Sequence, residues 1–139
     1  MTNLFIDTDI IIDFFVDRKP FSREAAIIFT LIEQKKLKGS ASALTFSNLY
    51  YVMRKFESHR KVIALLESLS KIVIILRVEE LTIKNALASE FLDFEDSIQY
   101  FSALDNKKID IIITRNIKDY KHSEIPVMTP GDFLNSMSG

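Results

Sequence analysis

The chain has 139 residues, enough to bury one sizeable core, and its 47% hydrophobic and 27% charged composition is that of a globular domain rather than a disordered or coiled-coil chain. The absence of cysteine excludes disulfides, zinc thiolates and thiol nucleophiles, and only His59 and His122 could supply imidazole, so we expect a metal site to rely on oxygen ligands. A formal charge of −1 excludes a strongly basic coat, although a local basic patch remains compatible with it.

The start of the chain carries none of the marks of a targeting segment. It lacks the basic flank and apolar stretch of a signal peptide, and no apolar run approaches the ~20 residues that cross a bilayer. We therefore expect one domain over residues 1–139, located in the cytoplasm and without membrane contact.

The N-terminal part of the chain predicts a strand and two helices. The apolar run at 3–6 is typical of a buried strand. A short helix with Thr8 as its N-cap should follow and stop before Pro20, because proline disfavours helix in the residue that precedes it. Ser22 is the expected cap of a second helix, whose apolar residues recur at helical spacing as far as Gly39.

The remaining chain continues to alternate. Its β-branched runs predict strands, and the periodic segments between them predict helices. Thr45 or Ser47 is the expected start of the helix that contains LYYVMRKF. The predicted strands are 40–43, 72–76, 109–113 and a short edge strand before Pro130, and the other predicted helices are 59–69, 79–90, 94–106 and a terminal one.

This alternation favours an α/β fold, since parallel strands need crossover connections and these are usually helical. We expect three α/β/α layers around a parallel sheet of four to five short strands. In such sheets ligands gather beyond the carboxyl ends of the strands. Asp7 and Asp9 follow the first strand, and Asp13 lies one helical turn after Asp9. Asn116 and Asp119 follow the strand at 109–113.

The acidic residues allow more than one interpretation. Asp93, Glu95 and Asp96 begin a predicted helix, where capping and the helix dipole alone would explain them. Asp7 is harder to explain in that way, because a carboxylate directly after a buried strand is costly unless it is paired or bound to metal. A turn-forming aspartate is the alternative. Mg²⁺ and similar hard ions prefer such oxygen ligands.

Three segments, DTDIIID, DFEDSIQYFSAL and IIITRNIKDY, resemble the PIN-domain pattern in their order and spacing, over nearly the whole chain. The resemblance implies a nuclease dependent on Mg²⁺ or Mn²⁺ that hydrolyses RNA phosphodiester bonds. Many PIN domains are toxins of bacterial type II toxin–antitoxin pairs, so RNA, an antitoxin protein and a second copy of the chain are the expected partners.

The same resemblance assigns the site residues. Two departures from the pattern put activity in question: Asn116 stands where the family has an aspartate, with Asp119 as the substitute, and Asn48 stands where many active members have a glutamate. The expected catalytic residues are Asp7, Asp96 and Asp119, the expected metal ligands are Asp7, Asp9, Asp96, Asn116 and Asp119, and the expected substrate contacts are Thr114, Arg115, Lys118 and Asn48.

Other interpretations stay open at this point. A PIN-like module that binds RNA or protein without cutting would also fit the two amides. A receiver-like phospho-acceptor domain fits less well, because LRVEEL and IPVMTP lack the acceptor aspartate and the later lysine. Arg54 and Lys55 are equally compatible with phosphate contacts and with ordinary surface. Tyr50 and Tyr51 are more typical of a core and receive no role.

Overall fold

The computed structural model describes residues 1–106 and 108–138. Strands and helices alternate along the chain, as the sequence predicts. The strands are β1 (Asn3–Ile6), β2 (Lys38–Ser42), β3 (Val73–Leu76), β4 (Ile111–Ile113) and β5 (Val127–Met128). The helices are α1 (Thr8–Phe15), α2 (Phe21–Glu33), α3 (Ala43–Met53), α4 (His59–Ile72), α5 (Glu80–Leu87), α6 (Phe94–Asp105) and α7 (Pro130–Ser138), with a 3-10 helix at Ile117–Tyr120.

The five strands form one parallel sheet in the order β3-β2-β1-β4-β5. From β1 the chain winds outward through β2 to β3, and then returns to the other side of β1 to form β4. The strand order therefore reverses between β1 and β4, where Leu4 is in register with Ile111 and Ile6 with Ile113. A crevice opens at such a reversal, beyond the carboxyl ends of the two strands.

Each face of the sheet carries its own core, because successive side chains of a strand point to opposite faces. Leu4 and Ile6 pack into the larger core, which α1, α2, α4 and α7 help to cover. Phe5 points to the other face and packs with Tyr100 of α6 and Ile112 of β4. The result is the expected three-layer α/β/α arrangement.

Several predicted helix starts differ from the observed ones by a few residues. The N-cap of α1 is Asp7, whose carboxylate accepts from the backbone N–H of Asp9, and Thr8 is already helical. The N-cap of α3 is Ser42, ahead of both expected candidates. Ser22 was also wrong as a cap, because α2 begins at Phe21 and the Ser22 hydroxyl donates to Asp17.

The predicted continuation of the second helix to Gly39 is also wrong. Helix α2 ends at Glu33, and Lys35 adopts a φ of 60°, in the left-handed region. The backbone N–H of Lys36 donates to the carbonyl of Leu31, and that of Lys35 donates to Ile32, which is the Schellman arrangement. The chain can therefore turn into β2, which begins two residues earlier than the predicted strand at 40–43.

In the part of the chain that the structure describes, no helix is long and apolar enough to cross a membrane.

Candidate functional site

The crevice between β1 and β4 holds the first predicted site residue. Asp7 directly follows β1 and is 3% exposed, and Thr114 directly follows β4 and is fully buried. The backbone N–H of Asp7 donates to the carbonyl of Ile113, which continues the ladder between the two strands. The strand register thus places the Asp7 carboxylate beside the residues that follow β4.

The Asp7 side chain is held by neutral donors. The Thr114 hydroxyl donates to its Oδ2 at 2.7 Å, and the Tyr120 hydroxyl donates to the same oxygen at 3.3 Å. Its Oδ1 accepts from the backbone N–H of Asp9 at 3.2 Å and from Gln99 Nε2 at 3.4 Å. These bonds fix the orientation of the carboxylate and bring no positive charge to it. Thr114, expected to contact substrate, therefore holds Asp7 from a buried position.

Gln99 of α6 connects the site to two neighbouring helices. Its Oε1 accepts from the backbone N–H of Thr8 at 3.0 Å and from the Thr8 hydroxyl at 2.9 Å. The Thr45 hydroxyl of α3 lies 2.9 Å from that of Thr8. Gln99 Nε2 also lies 3.5 Å from Asp96 Oδ1. One buried amide thus fixes the starts of α1 and α3 relative to the two acidic residues Asp7 and Asp96.

Two carboxyl groups of the site, those of Asp7 and Asp96, lie in surroundings that disfavour their charged form. Burial raises the pKa of Asp7, and the negative charge of Asp9 adds to this, against the lowering effect of the Thr114 hydrogen bond. Burial and the negative charges of Asp7, Asp93, Asp119 and Asp9 raise the pKa of Asp96 to about 8. A raised pKa of an acid means that its surroundings disfavour further negative charge. A cation bound in this region would therefore be stabilised.

Tyr120 belongs to the same electrostatic environment. Burial raises the pKa of its phenol, followed by the effects of the Asp7 and Asp96 charges and of its hydrogen bond to Asp7. The phenol therefore stays protonated and acts as a hydrogen-bond donor to Asp7.

Asp13 does not extend this acidic group, contrary to the expectation from its spacing to Asp9. It is fully buried, and its two oxygens accept from Arg115 Nε at 2.7 Å and Nη2 at 3.2 Å. Arg18 Nη1 adds a third contact at 3.4 Å. Arg115 also lies over the Phe21 ring, at 4.0 Å from its centroid. The guanidinium that we expected to contact substrate is thus engaged in an internal ion pair.

The remaining predicted residues surround the crevice at the surface. Asn116 is exposed, and its Nδ2 donates to Asp9 Oδ2 at 3.3 Å. Lys118 and Asp119 are exposed on the 3-10 helix. Asn48 is half-buried on α3, three residues after Thr45, and among the described residues it makes no hydrogen bond to the acidic group.

The oxygen ligands of the crevice are of the kind that a hard divalent ion prefers, but their spacing limits how many of them can bind it. Asp7, Asp9, Asp96 and Asp119 supply oxygen ligands, and none of them forms an ion pair within the described residues. Over residues 1–106 and 108–138, however, no three His, Cys, Asp or Glu side chains lie close enough together to hold a metal. This arrangement suits Mg²⁺, which commonly binds through one or two carboxylates and keeps several waters.

Sequence reasoning assigned no role to the two side chains that organise the crevice, Gln99 and Tyr120. A signal for Gln99 was present: it lies three residues after Asp96 on a helix and between two residues that are buried, Ile98 and Tyr100. A polar side chain on a buried helix face needs partners there. Tyr120 had no comparable signal, because an aromatic residue after a strand is ordinarily part of the core.

Comparisons with known proteins agree with this geometry. A family model described as the PIN domain matches residues 3–118. No curated protein matches the sequence significantly. Among solved structures, a chain of a toxin–antitoxin complex from Klebsiella pneumoniae is 25% identical, with a TM-score of 0.66, over 91% of this chain and 97% of that one.

Two further structures share the fold at lower identity. A chain in the structure of VapBC2 from Rickettsia felis bound to promoter DNA is 13% identical, with a TM-score of 0.68, over 92% of this chain and 98% of that one. VapC20 from Mycobacterium tuberculosis, described as a toxin that cleaves the sarcin-ricin loop, is 17% identical, with a TM-score of 0.60, over 78% of this chain and 86% of that one. Because the family model spans most of the sequence and the sheet matches these structures, the chain belongs to the PIN-domain family.

Proposed function

We propose that this protein is a metal-dependent endoribonuclease and the toxin of a toxin–antitoxin pair. The observation that carries the proposal is the acidic crevice, in which Asp7 and Asp96 have raised pKa values and, among the described residues, hydrogen-bond donors that are all neutral. Such an arrangement is expensive in a folded protein unless it serves a ligand. The solved relatives described as toxin–antitoxin complexes, and the one described as cleaving the sarcin-ricin loop, support the choice of activity.

The expected cofactor is Mg²⁺ or Mn²⁺. Asp7 and Asp96 would hold it, with Asp9, Asn116 or Asp119 contributing oxygens directly or through water. When bound, such an ion supplies Lewis acidity toward a phosphodiester and activates water for attack on phosphorus. Thr114, Tyr120 and Gln99 would keep the carboxylate of Asp7 oriented toward the ion, because each of them donates to it in a buried setting.

Substrate binding needs positive charge beside the acidic crevice. Lys118 is exposed on the 3-10 helix that follows β4 and would contact phosphate there. Arg115 is less available, because its guanidinium is bonded to Asp13. Thr114 is buried, so we propose that it orients Asp7 rather than contacts RNA.

The other partners follow from the same proposal. A toxin acts on cellular RNA, which requires a cytoplasmic location, and it needs an antitoxin that covers the site until release. The matched chain from Klebsiella pneumoniae comes from such a complex, which supports an antitoxin partner for this chain. A homodimer is proposed on the resemblance alone.

Cleavage of a mixed-sequence single-stranded RNA by the purified protein tests the activity. We expect cleavage with Mg²⁺ or Mn²⁺, loss of cleavage in excess EDTA, and loss in Asp7→Asn and Asp96→Asn. Glu67→Gln is the matched control, because it makes the same change of carboxylate to amide at an exposed position of α4. Cleavage that persists in EDTA, or in folded site variants, would disprove the proposed chemistry.

A second candidate function is RNA binding without cleavage. Two observations favour it: Asn116 stands beside Asp9 in place of another acid, and no three carboxylates converge within the described residues. If this candidate is correct, the protein should bind RNA as tightly as an active nuclease does, yet yield no cleavage products over long incubation in Mn²⁺. Products that appear with Mn²⁺ and depend on Asp7 would exclude it.

A further inference from the structure

A compact group of cationic and aromatic side chains lies outside the acidic crevice, where α3 turns into α4. We call residues 50–61 the α3–α4 corner. The segment 54–61 contains four of the 18 Lys and Arg residues and one of the 19 acidic residues. This local surplus of positive charge contrasts with the net charge of −1 for the whole chain.

The cations of the corner face solvent. Arg54, Lys55, Arg60 and Lys61 are all exposed. Lys61 forms an ion pair with Glu57 at 3.1 Å, so the charge surplus rests mainly on the other three. Within the part of the chain that the structure describes, Arg54, Lys55 and Arg60 form no ion pair, and exposed cations of this kind attract polyanions such as the phosphate backbone of a nucleic acid.

Two large aromatic side chains lie among these cations. Tyr51 is 71% exposed and Phe56 is 67% exposed, although aromatic rings of this size are normally buried at least in part. The expectation that the tyrosines of this helix belong to the core is therefore wrong for Tyr51. Lys55 Nζ lies 5.2 Å from the centroid of the Tyr51 ring, so charge and aromatic surface are adjacent.

The corner is well ordered by its own contacts. The Tyr50 hydroxyl lies 2.8 Å from His59 Nδ1, and the two rings meet edge to face at 5.6 Å. Arg54 Nη1 donates to the carbonyl of Glu57 at 3.3 Å. These bonds tie the end of α3 to the start of α4, so the exposed rings are presented on a fixed support.

Helix α3 connects the corner to the acidic crevice. Thr45, in its first turn, contacts the Thr8 hydroxyl of the crevice. Asn48 and Tyr51 follow at three-residue steps, which places them along one side of the helix, and Lys55 lies in the turn just beyond its end, against the Tyr51 ring. The distance along the axis from Asn48 to the end of the helix at Met53 is roughly 8 Å. A chain that occupies the crevice could therefore continue onto the corner.

We propose that the α3–α4 corner is a second binding surface for single-stranded RNA, in which Arg54, Lys55 and Arg60 contact phosphates and Tyr51 and Phe56 stack on unpaired bases. Cationic side chains that follow a backbone and aromatic rings that stack on bases are the two components by which proteins bind single strands without reading sequence. The inference rests on the proposed function, since it takes RNA as the ligand. It adds a surface that would hold the strand while the crevice acts on it.

Binding of a fluorescently labelled, 20-nucleotide single-stranded RNA, measured by anisotropy in excess EDTA, tests this surface. Without divalent ions the RNA stays intact, so affinity is measured apart from cleavage. For Arg54→Gln/Lys55→Gln we expect the slope of log Kd against log salt concentration to become shallower by about 1.4, since each single-strand phosphate contact contributes about 0.7. For Tyr51→Leu/Phe56→Leu we expect Kd to rise roughly tenfold.

Lys35→Gln/Lys36→Gln is the matched control for the charge variant. It removes the same charge from an exposed turn, where Lys35 lines a shallow cavity together with Lys71 of α4. Lys71 lies about 16 Å along the helix from Arg60, so this turn is remote from the corner. We expect the control to keep the wild-type slope, and we expect a blunt RNA duplex to bind more weakly than the single strand because its bases are already stacked.

The outcomes separate the two proposals. If either corner variant binds the single strand as the control does, the corner is not an RNA surface and is free for a protein partner instead. If the corner variants lose affinity while no RNA is ever cut with Mn²⁺, the surface is supported and the nuclease proposal fails. If RNA is cut but the corner variants bind and cut normally, only the surface is disproved.

Discussion

Two buried aspartates of this protein are treated in opposite ways. Asp13 accepts two hydrogen bonds from Arg115 and forms an ion pair with Arg18, so its charge is neutralised inside the fold. Within the described part of the chain, the groups that donate hydrogen bonds to Asp7 are all neutral, and burial raises its pKa. The difference separates a structural carboxylate from one whose charge is left for a ligand.

The Asp96 carboxylate should make stability depend on pH. Burial, and then the charges of the nearby acids, raise its pKa from the ordinary 3.8 of an aspartic acid to about 8 in the folded protein. Between these values the folded state keeps a proton that the unfolded state has lost, so stability falls as pH rises through this window. Asp96→Asn removes the charge and should raise Tm at pH 8 by roughly a few degrees, with a smaller gain near pH 4.

Thermal melts in EDTA at the two pH values would measure this effect. Glu67→Gln, at an exposed position of α4, should show no such pH-dependent gain. A lower Tm for Asp96→Asn at pH 8 would mean that the surrounding acids do not disfavour its charge.

Arg115 offers a second prediction for a single residue. Among the described residues, Arg115→Gln leaves Arg18, at 3.4 Å, as the remaining ion-pair partner of the buried Asp13. It should destabilise the protein by about 2–4 kcal/mol in urea unfolding, because an incompletely paired buried charge is costly. Arg77→Gln, which breaks an exposed pair with Glu79, should change stability little. An Arg115 variant of normal stability and weak RNA affinity would instead support the expected substrate contact.

These residues show which features of the site could be predicted from the sequence and which could not. Asp7 was predictable, because a carboxylate after an apolar run stands out locally. The Asp13–Arg115 pair was not, because its members are 102 positions apart and only the β1–β4 pairing brings them together. Asp9 and Asp13 do share helical spacing, but spacing alone does not say which of them meets an arginine.

At the scale of elements, the types of helix and strand were easier to predict than their ends. Helices α1 and α2 both end in the Schellman arrangement, with Asp17 and Lys35 at positive φ. Neither position is glycine, which is the usual signal for such an end. No residue type therefore marks the end of α2 before Gly39, although the apolar spacing identifies the helix correctly.

The end of α2 leads to a prediction of stability. Lys35 holds a φ of 60°, which costs a residue with a Cβ about 1 kcal/mol or more. Lys35→Gly should relieve this and raise the free energy of unfolding by about 0.5–1 kcal/mol, measured in urea. The control is Lys36→Gly, one residue further and outside the positive-φ region, which should bring no gain. Equal effects of the two changes would contradict the role of the backbone angle.

At the scale of the whole molecule, the order of the strands decides where the site lies. The alternation of strands and helices predicted a parallel sheet, but it did not fix the order β3-β2-β1-β4-β5. That order places the reversal between β1 and β4, and so brings Asp7 beside Thr114 and the 3-10 helix. The same winding places α3 next to the crevice and the basic corner at its far end.

Metal binding should stabilise the whole fold, because an ion that binds the folded crevice and not the unfolded chain shifts the unfolding equilibrium by mass action. At a Mn²⁺ concentration about 100 times Kd, the gain is about 2.7 kcal/mol, which raises Tm by several degrees in a protein of this size. The wild type should show this rise in thermal melts at constant ionic strength, whereas Asp7→Asn/Asp96→Asn should not, since it removes the two carboxylates proposed to hold the ion. Glu67→Gln should respond as the wild type does. An equal rise in the site variant would show that Mn²⁺ binds elsewhere on the protein. The absence of any rise in the wild type would mean that the crevice binds no metal, and it would favour RNA binding without cleavage as the function.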